Sequence, residues 1–156
     1  MNRADSPLPH SSPPERYPLA IIGAGAPGLT FATRLARPGR VAVIARSAER
    51  AQALPPGIEV AGTLRHFAVF GAAQAPQADW VIVLVKTGDT PQAALTAAAM
   101  APKGVLSLQN GLIEDLLRAA CQGLCVGQGV TTEGAYRDEH GRVHPSGAGE
   151  SLLPAG

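Results

Sequence analysis

The chain has 156 residues, 46% of them hydrophobic and 16% charged, with a net charge of +1. This supports the packed core of a single domain and argues against an intrinsically disordered chain or a general nucleic-acid binder. The three Phe, two Tyr and one Trp are too few for a base-stacking surface, and two cysteines cannot form a disulfide framework or a four-ligand zinc site. No apolar run approaches the ~20 residues of a membrane span, so neither nucleic acid nor a membrane is expected as a partner, and a cytoplasmic location is expected.

Residues 1–18 are rich in proline and lack apolar periodicity. They are expected to form a mobile tail with no secretory signal character, because no continuous apolar stretch is present. The folded domain is expected over 19–156. Residues 19–22 read as a buried strand that runs into Gly23-Ala24-Gly25-Ala26-Pro27-Gly28. Leu29, Phe31, Ala32, Leu35 and Ala36 then recur at helical spacing until Pro38-Gly39. Residues 41–45 form a second apolar strand ending at Arg46, which completes a strand, glycine turn, helix and strand.

Residues 47–54 read as a short helix capped by Ser47 and broken by Pro55-Pro56-Gly57. Residues 58–60 and 67–70 read as short strands of an irregular region. The six apolar residues 80–85 predict a central parallel strand buried on both faces. A helix follows over 90–100, with Pro91 at its first position. Residues 105–108 predict a strand, 112–120 a helix, and 124–131 and 142–144 further strands. The alternation predicts an α/β fold, a Rossmann-like, doubly wound and mostly parallel sheet in a single domain.

Gly23, Gly25 and Gly28 form the G-x-G-x-x-G pattern between a strand and an amphipathic helix. Gly23 permits the tight turn, Gly25 lets backbone approach a pyrophosphate, and Gly28 lets helix pack on sheet. The helix amino end then presents N–H groups and its positive dipole to the phosphates. An NAD site calls for Asp or Glu at the end of the second strand. This chain has Arg46, a forked cation suited to a 2′-phosphate, so the expected cofactor is NADP. Arg50 could share or take over that role. Lys86 and Asn110 follow apolar strands, at the sheet edge where ligands bind. A Lys there can hold the cofactor ribose or carboxamide, or polarise a carbonyl; an Asn can contact substrate hydroxyl and cofactor. Equally, both residues could simply begin solvated loops. Against eleven arginines the chain keeps only Lys86 and Lys103 as lysines, which marks them as positions where a compact amine is useful.

The blocks GAGAPG, VLVKT, SLQNGL, GVTTEGA and GRVHPSGAG together resemble, in order and spacing, the N-terminal domain of the ketopantoate reductase (2-dehydropantoate 2-reductase) family. They span residues 23–149. The resemblance implies NADPH-dependent reduction of 2-dehydropantoate to pantoate, on the route to pantothenate and coenzyme A. It also implies that Gly23, Ala24, Gly25, Ala26, Pro27, Gly28, Arg46, Lys86, Asn110 and Ala135 contact the cofactor, with Lys86 and Asn110 near the reacting carbonyl. The family's catalytic lysine lies on a second, helical domain, which would begin about where this sequence stops. No catalytic residue is therefore assigned within the chain, and little activity is expected from it alone.

A complementing domain or self-association through an apolar patch near Leu152-Leu153 is expected. Two alternatives are a non-catalytic dinucleotide-binding module or gene remnant, and a fragment of another keto-acid dehydrogenase. Cys121 and Cys125 are expected to be buried small hydrophobes. His10, His66, His140 and His144 show no metal-ligand spacing. His144 is expected to be structural or loop-forming, and Asp138-Glu139 to be a solvated turn.

Overall fold

The computed structural model describes residues 16–35, 39–108, 114–131, 134–146 and 151–152. Its main body is a six-stranded, wholly parallel sheet built from β1 (Arg16–Ile22), β2 (Val41–Ala45), β5 (Ala68–Gly71), β6 (Gln77–Val83), β7 (Gly104–Ser107) and β8 (Cys125–Gln128). Their order in space is β5-β2-β1-β6-β7-β8. The chain therefore winds outward from β1 in one direction, returns, and winds outward from β6 in the other.

Side-chain alternation divides the core into two layers. Ala20, Ile22, Ala42, Ile44, Val81 and Val83 point to one face. There they meet Ala93, Ala94 and Ala97 of α3 (Thr90–Ala99) and Leu117 of α4 (Glu114–Ala120). Ile21, Val41, Val43 and Ile82 point to the other face, against Leu29, Phe31 and Ala32 of α1 (Ala26–Leu35). A strand covered on both sides has no polar positions, which is why β2 reads as five consecutive apolar residues, all buried. The small helix α2 (Ala48–Ala53) has Ser47 as its N-cap, whose side chain accepts from the Arg50 amide at 3.2 Å.

A second sheet packs beyond α1. It is ordered β10-β11-β3-β4 and consists of β3 (Ile58–Val60), β4 (Thr63–Arg65), β10 (Ala135–Arg137) and β11 (Val143–Pro145). Ile58, Val60 and Val143 complete the α1-side core. A two-residue turn of Ala61 and Gly62, both at positive φ, joins β3 to β4. Finally β9 (Val130–Thr131) pairs with β12 (Ser151–Leu152).

Several expectations need correction. The first strand is longer than the expected 19–22 and includes Arg16 and Tyr17: Tyr17 is buried against Phe70, with ring centroids 5.8 Å apart. Arg16 donates to Asp79 at 2.6 Å and to the Ala101 carbonyl at 2.6 Å. Pro18 obscured this extension of the strand. It fits because β1 pairs with β6 from Arg16 onward but with β2 only from Leu19, so among the described residues one edge of the strand is free at the proline. Residues 1–15 lie outside the described residues. The expected irregular region contributes a strand to the main sheet, since β5 pairs with β2. β6 begins at Gln77 and ends at Val83, and Trp80 is half exposed rather than buried. The strand expected over 124–131 is divided into β8 and β9, in different sheets.

Candidate functional site

β1 and β6 are neighbours whose chains leave in opposite directions, so the carboxyl edge of the sheet opens into a crevice between them. The glycine turn sits at its floor. The Gly23 amide donates to the Ile44 carbonyl at 3.0 Å, and the Leu84 amide to the Ile22 carbonyl at 2.9 Å. The first bond ties the turn to the end of β2, and the second ties the end of β1 to the segment that follows β6. Gly23 has φ +134°, and a Cβ on it would stand 2.5 Å from the Leu84 carbonyl oxygen. A Cβ on Gly28 would overlap the Gly23 carbonyl, so this glycine is required for α1 to lie against the turn. A Cβ on Gly25 would meet only Pro27 Cδ, at 3.8 Å. Packing does not demand glycine there; its missing side chain leaves open space at the amino end of α1.

That space belongs to a cavity of about 940 Å³. Gly23, Ala24, Gly25 and Pro27 line it, with Arg46 and Arg50 beyond β2 and Lys86 and Asp89 beyond β6. The sequence-expected groups Arg46, Lys86 and the glycine turn are thus brought to one cleft. Gly28, which is buried, and Ala26 do not line it. Ala135 sits on β10, half-buried against the α1-side core rather than lining the cavity. Asn110 lies outside the described residues.

Two cleft residues were not foreseen. Asp89 Oδ2 accepts from Arg46 Nη2 at 3.0 Å, with both side chains solvent-accessible. Arg137 lines the cavity from the second sheet and donates from Nη2 to the Ala24 carbonyl at 3.2 Å. Asp89 could have been suspected from its place three residues after Lys86. Nothing in the three-residue strand around Arg137 signals its reach.

The Asp138 turn is more organised than expected. Asp138 Oδ1 accepts from the His140 and Arg142 amides, each at 2.9 Å. Its Oδ2 takes Arg142 Nε at 2.9 Å and lies 2.8 Å from His144 Nε2. The His144 hydrogen bond, followed by those from Arg142 and His140, holds the carboxyl far below the usual range. His144 also stacks on Tyr136, with centroids 5.1 Å apart, which fits its expected structural role. Cys121 is buried, and burial raises its thiol pKa. Cys125 is exposed, contrary to expectation. Leu152 and its cross-strand partner Val130 are exposed; Leu153 and His10 lie outside the described residues. Among the described residues, no helix is long and apolar enough to cross a membrane.

A parallel sheet in this order, with a glycine turn opening a cleft at its carboxyl edge, is a Rossmann-like domain. Residues 19–155 match the family described as ketopantoate reductase PanE/ApbA, and the chain belongs to that family. It is 32% identical over 135 residues to a 2-dehydropantoate 2-reductase of Archaeoglobus fulgidus, covering 85% of this chain and 45% of that protein. A crystal structure of a PanE/ApbA family ketopantoate reductase from Ralstonia eutropha is 32% identical, with a TM-score of 0.63, over 83% of this chain and 46% of the other. D-mandelate dehydrogenase in complex with NADH shares the fold, with a TM-score of 0.71 at 22% identity, over 87% of this chain and 46% of that one. The chain thus spans about half the length of the relatives it matches.

Proposed function

We propose that the cleft binds NADPH and that the chain forms the coenzyme-binding half of a 2-dehydropantoate 2-reductase. The observation that carries this reading is the joint placement of the Gly25 opening and Arg46 on one cavity. The residues present fit the coenzyme. The glycine turn and the amino end of α1 would take the pyrophosphate. Arg46, with Arg50 beside it, would take the 2′-phosphate. Lys86, exposed at the mouth, would hold the ribose or carboxamide end. Bound there, the coenzyme would supply the hydride that reduces the 2-keto group.

Lys86 and Asn110 are assigned to the neighbourhood of that keto group, as positioning groups rather than as the proton donor. Turnover is assigned to this half acting together with the further length that its relatives carry. The chain is proposed to work in the cytoplasm, in pantothenate synthesis. Titration of the purified chain with NADPH and NADH, followed by nicotinamide fluorescence, tests the coenzyme reading. Tighter binding of NADPH is expected; equal affinities would remove the assignment of Arg46 to a 2′-phosphate.

A further inference from the structure

Arg46 and Asp89 come from the ends of two different strands. Arg46 follows β2, and Asp89 closes the single 3-10 turn (Thr87–Asp89) that follows β6. They meet across the cleft at 3.0 Å, and both line the cavity. Asp89 also occupies the N-cap position of α3. There an aspartate ordinarily adopts an extended backbone and accepts from a first-turn amide. Asp89 instead has φ −93° and ψ 0° and makes no side-chain cap bond. Its amide donates to the Lys86 carbonyl at 2.8 Å, which fixes the turn with the carboxylate on Arg46. The aspartate is placed for the arginine, not for its own helix.

This pairing has a consequence for coenzyme choice. A 2′-phosphate needs the Arg46 guanidinium, and one arm of that fork already holds a carboxylate. The phosphate would have to share or displace it, and would face its negative charge at close range. NADH brings no such charge. Its free ribose hydroxyls are donors that a carboxylate can accept. We propose that Asp89 is a specificity-determining residue of the coenzyme site, a counter-charge on Arg46 that holds down the preference for NADPH over NADH. The proposal rests on the NADPH reading of the cleft.

The test is titration of NADPH and NADH against the 156-residue wild type, Asp89→Asn, Asp89→Ser, Arg46→Ala and the Arg46→Ala/Asp89→Asn double variant. Asp89→Asn should bind NADPH about three- to tenfold more tightly, the size expected for releasing an exposed ion pair and a like charge. NADH affinity should stay level or fall. Asp89→Ser, which places a residue able to cap α3 at that position, should shift the ratio in the same direction. The gain should shrink in the Arg46→Ala background. An NADPH-to-NADH ratio that is unchanged or lowered in both Asp89 variants would overturn the proposal while leaving the NADPH reading intact. Failure of the folded wild type to bind either coenzyme would overturn the reading and the proposal together.

Discussion

Arg137 reaches from the second sheet to the carbonyl of Ala24 in the glycine turn, 3.2 Å from Nη2 to oxygen, across 113 positions of sequence. The small sheet therefore does more than cover α1, since it braces the loop that the phosphates would meet and adds a positive charge to the cleft wall. Arg137→Ala should weaken NADPH binding by about 0.5–1.5 kcal/mol, the worth of one hydrogen bond. NADH should weaken to a similar extent, because Arg137 lies by the glycine turn rather than by Arg46. Calorimetric titration of both coenzymes checks this; a loss confined to NADPH would place Arg137 at the 2′-phosphate instead.

The glycines separate binding from folding. At Gly25 a side chain enters open space, so Gly25→Val should abolish coenzyme binding while the melting temperature stays near wild type. At Gly28 even a methyl group overlaps the Gly23 carbonyl. Gly28→Ala should therefore destabilise the domain by about 1–3 kcal/mol or more, the usual range for overpacking. Thermal melts of the two variants, with and without NADPH, read both effects. Equal melting temperatures would show that α1 does not depend on the close approach at Gly28.

Arg46→Ala should weaken NADPH binding about tenfold and leave NADH nearly unchanged. That is the low end of the range for a charge-assisted hydrogen bond, because the side chain is exposed and already paired with Asp89. If Arg50 carries the 2′-phosphate, the loss will appear in Arg50→Ala and not in Arg46→Ala.

Asp138 ties stability to pH. Its carboxyl is held far below the usual range by hydrogen bonds, first from His144 and then from Arg142 and His140. A folded-state pKa lowered in this way stabilises the native state above the unfolded pKa of about 3.9. That contribution is lost as pH falls through the lower folded value. Asp138→Asn should therefore be less stable than wild type at neutral pH, with the gap closing as the solution is acidified below about pH 4. Urea unfolding at several pH values measures the gap. A constant gap across that range would mean that the hairpin does not depend on the ionised carboxylate.

The parts legible in the sequence are those with a local cause. The glycine turn, β2, the Ser47 cap and the Pro91 start of α3 each follow from neighbours within one or two turns of chain. The parts that were not legible depend on distant pairing. β5 looks like any short apolar run until β2 selects it as a neighbour. Three-residue strands such as β10 and β4 are too short to show a period, so the second sheet and Arg137 stayed hidden. At the site, the type and position of Arg46 and Lys86 could be read because each follows an apolar run of sequence. The Asp89 partner of Arg46 is 43 residues away and becomes evident only when β2 and β6 are set on either side of β1. Asp138 read as a solvated turn because its role comes from the bonds it accepts, not from its own residue type.

NADPH is proposed to occupy the cleft between the glycine turn and the ends of β2 and β6. Amide chemical shifts of the ¹⁵N-labelled chain, followed as NADPH is added, test this most directly. The largest saturable changes are expected on Gly23, Gly25, Gly28, Arg46 and Lys86. Saturable changes confined to residues away from this edge, or none at millimolar NADPH in a folded sample, would contradict it.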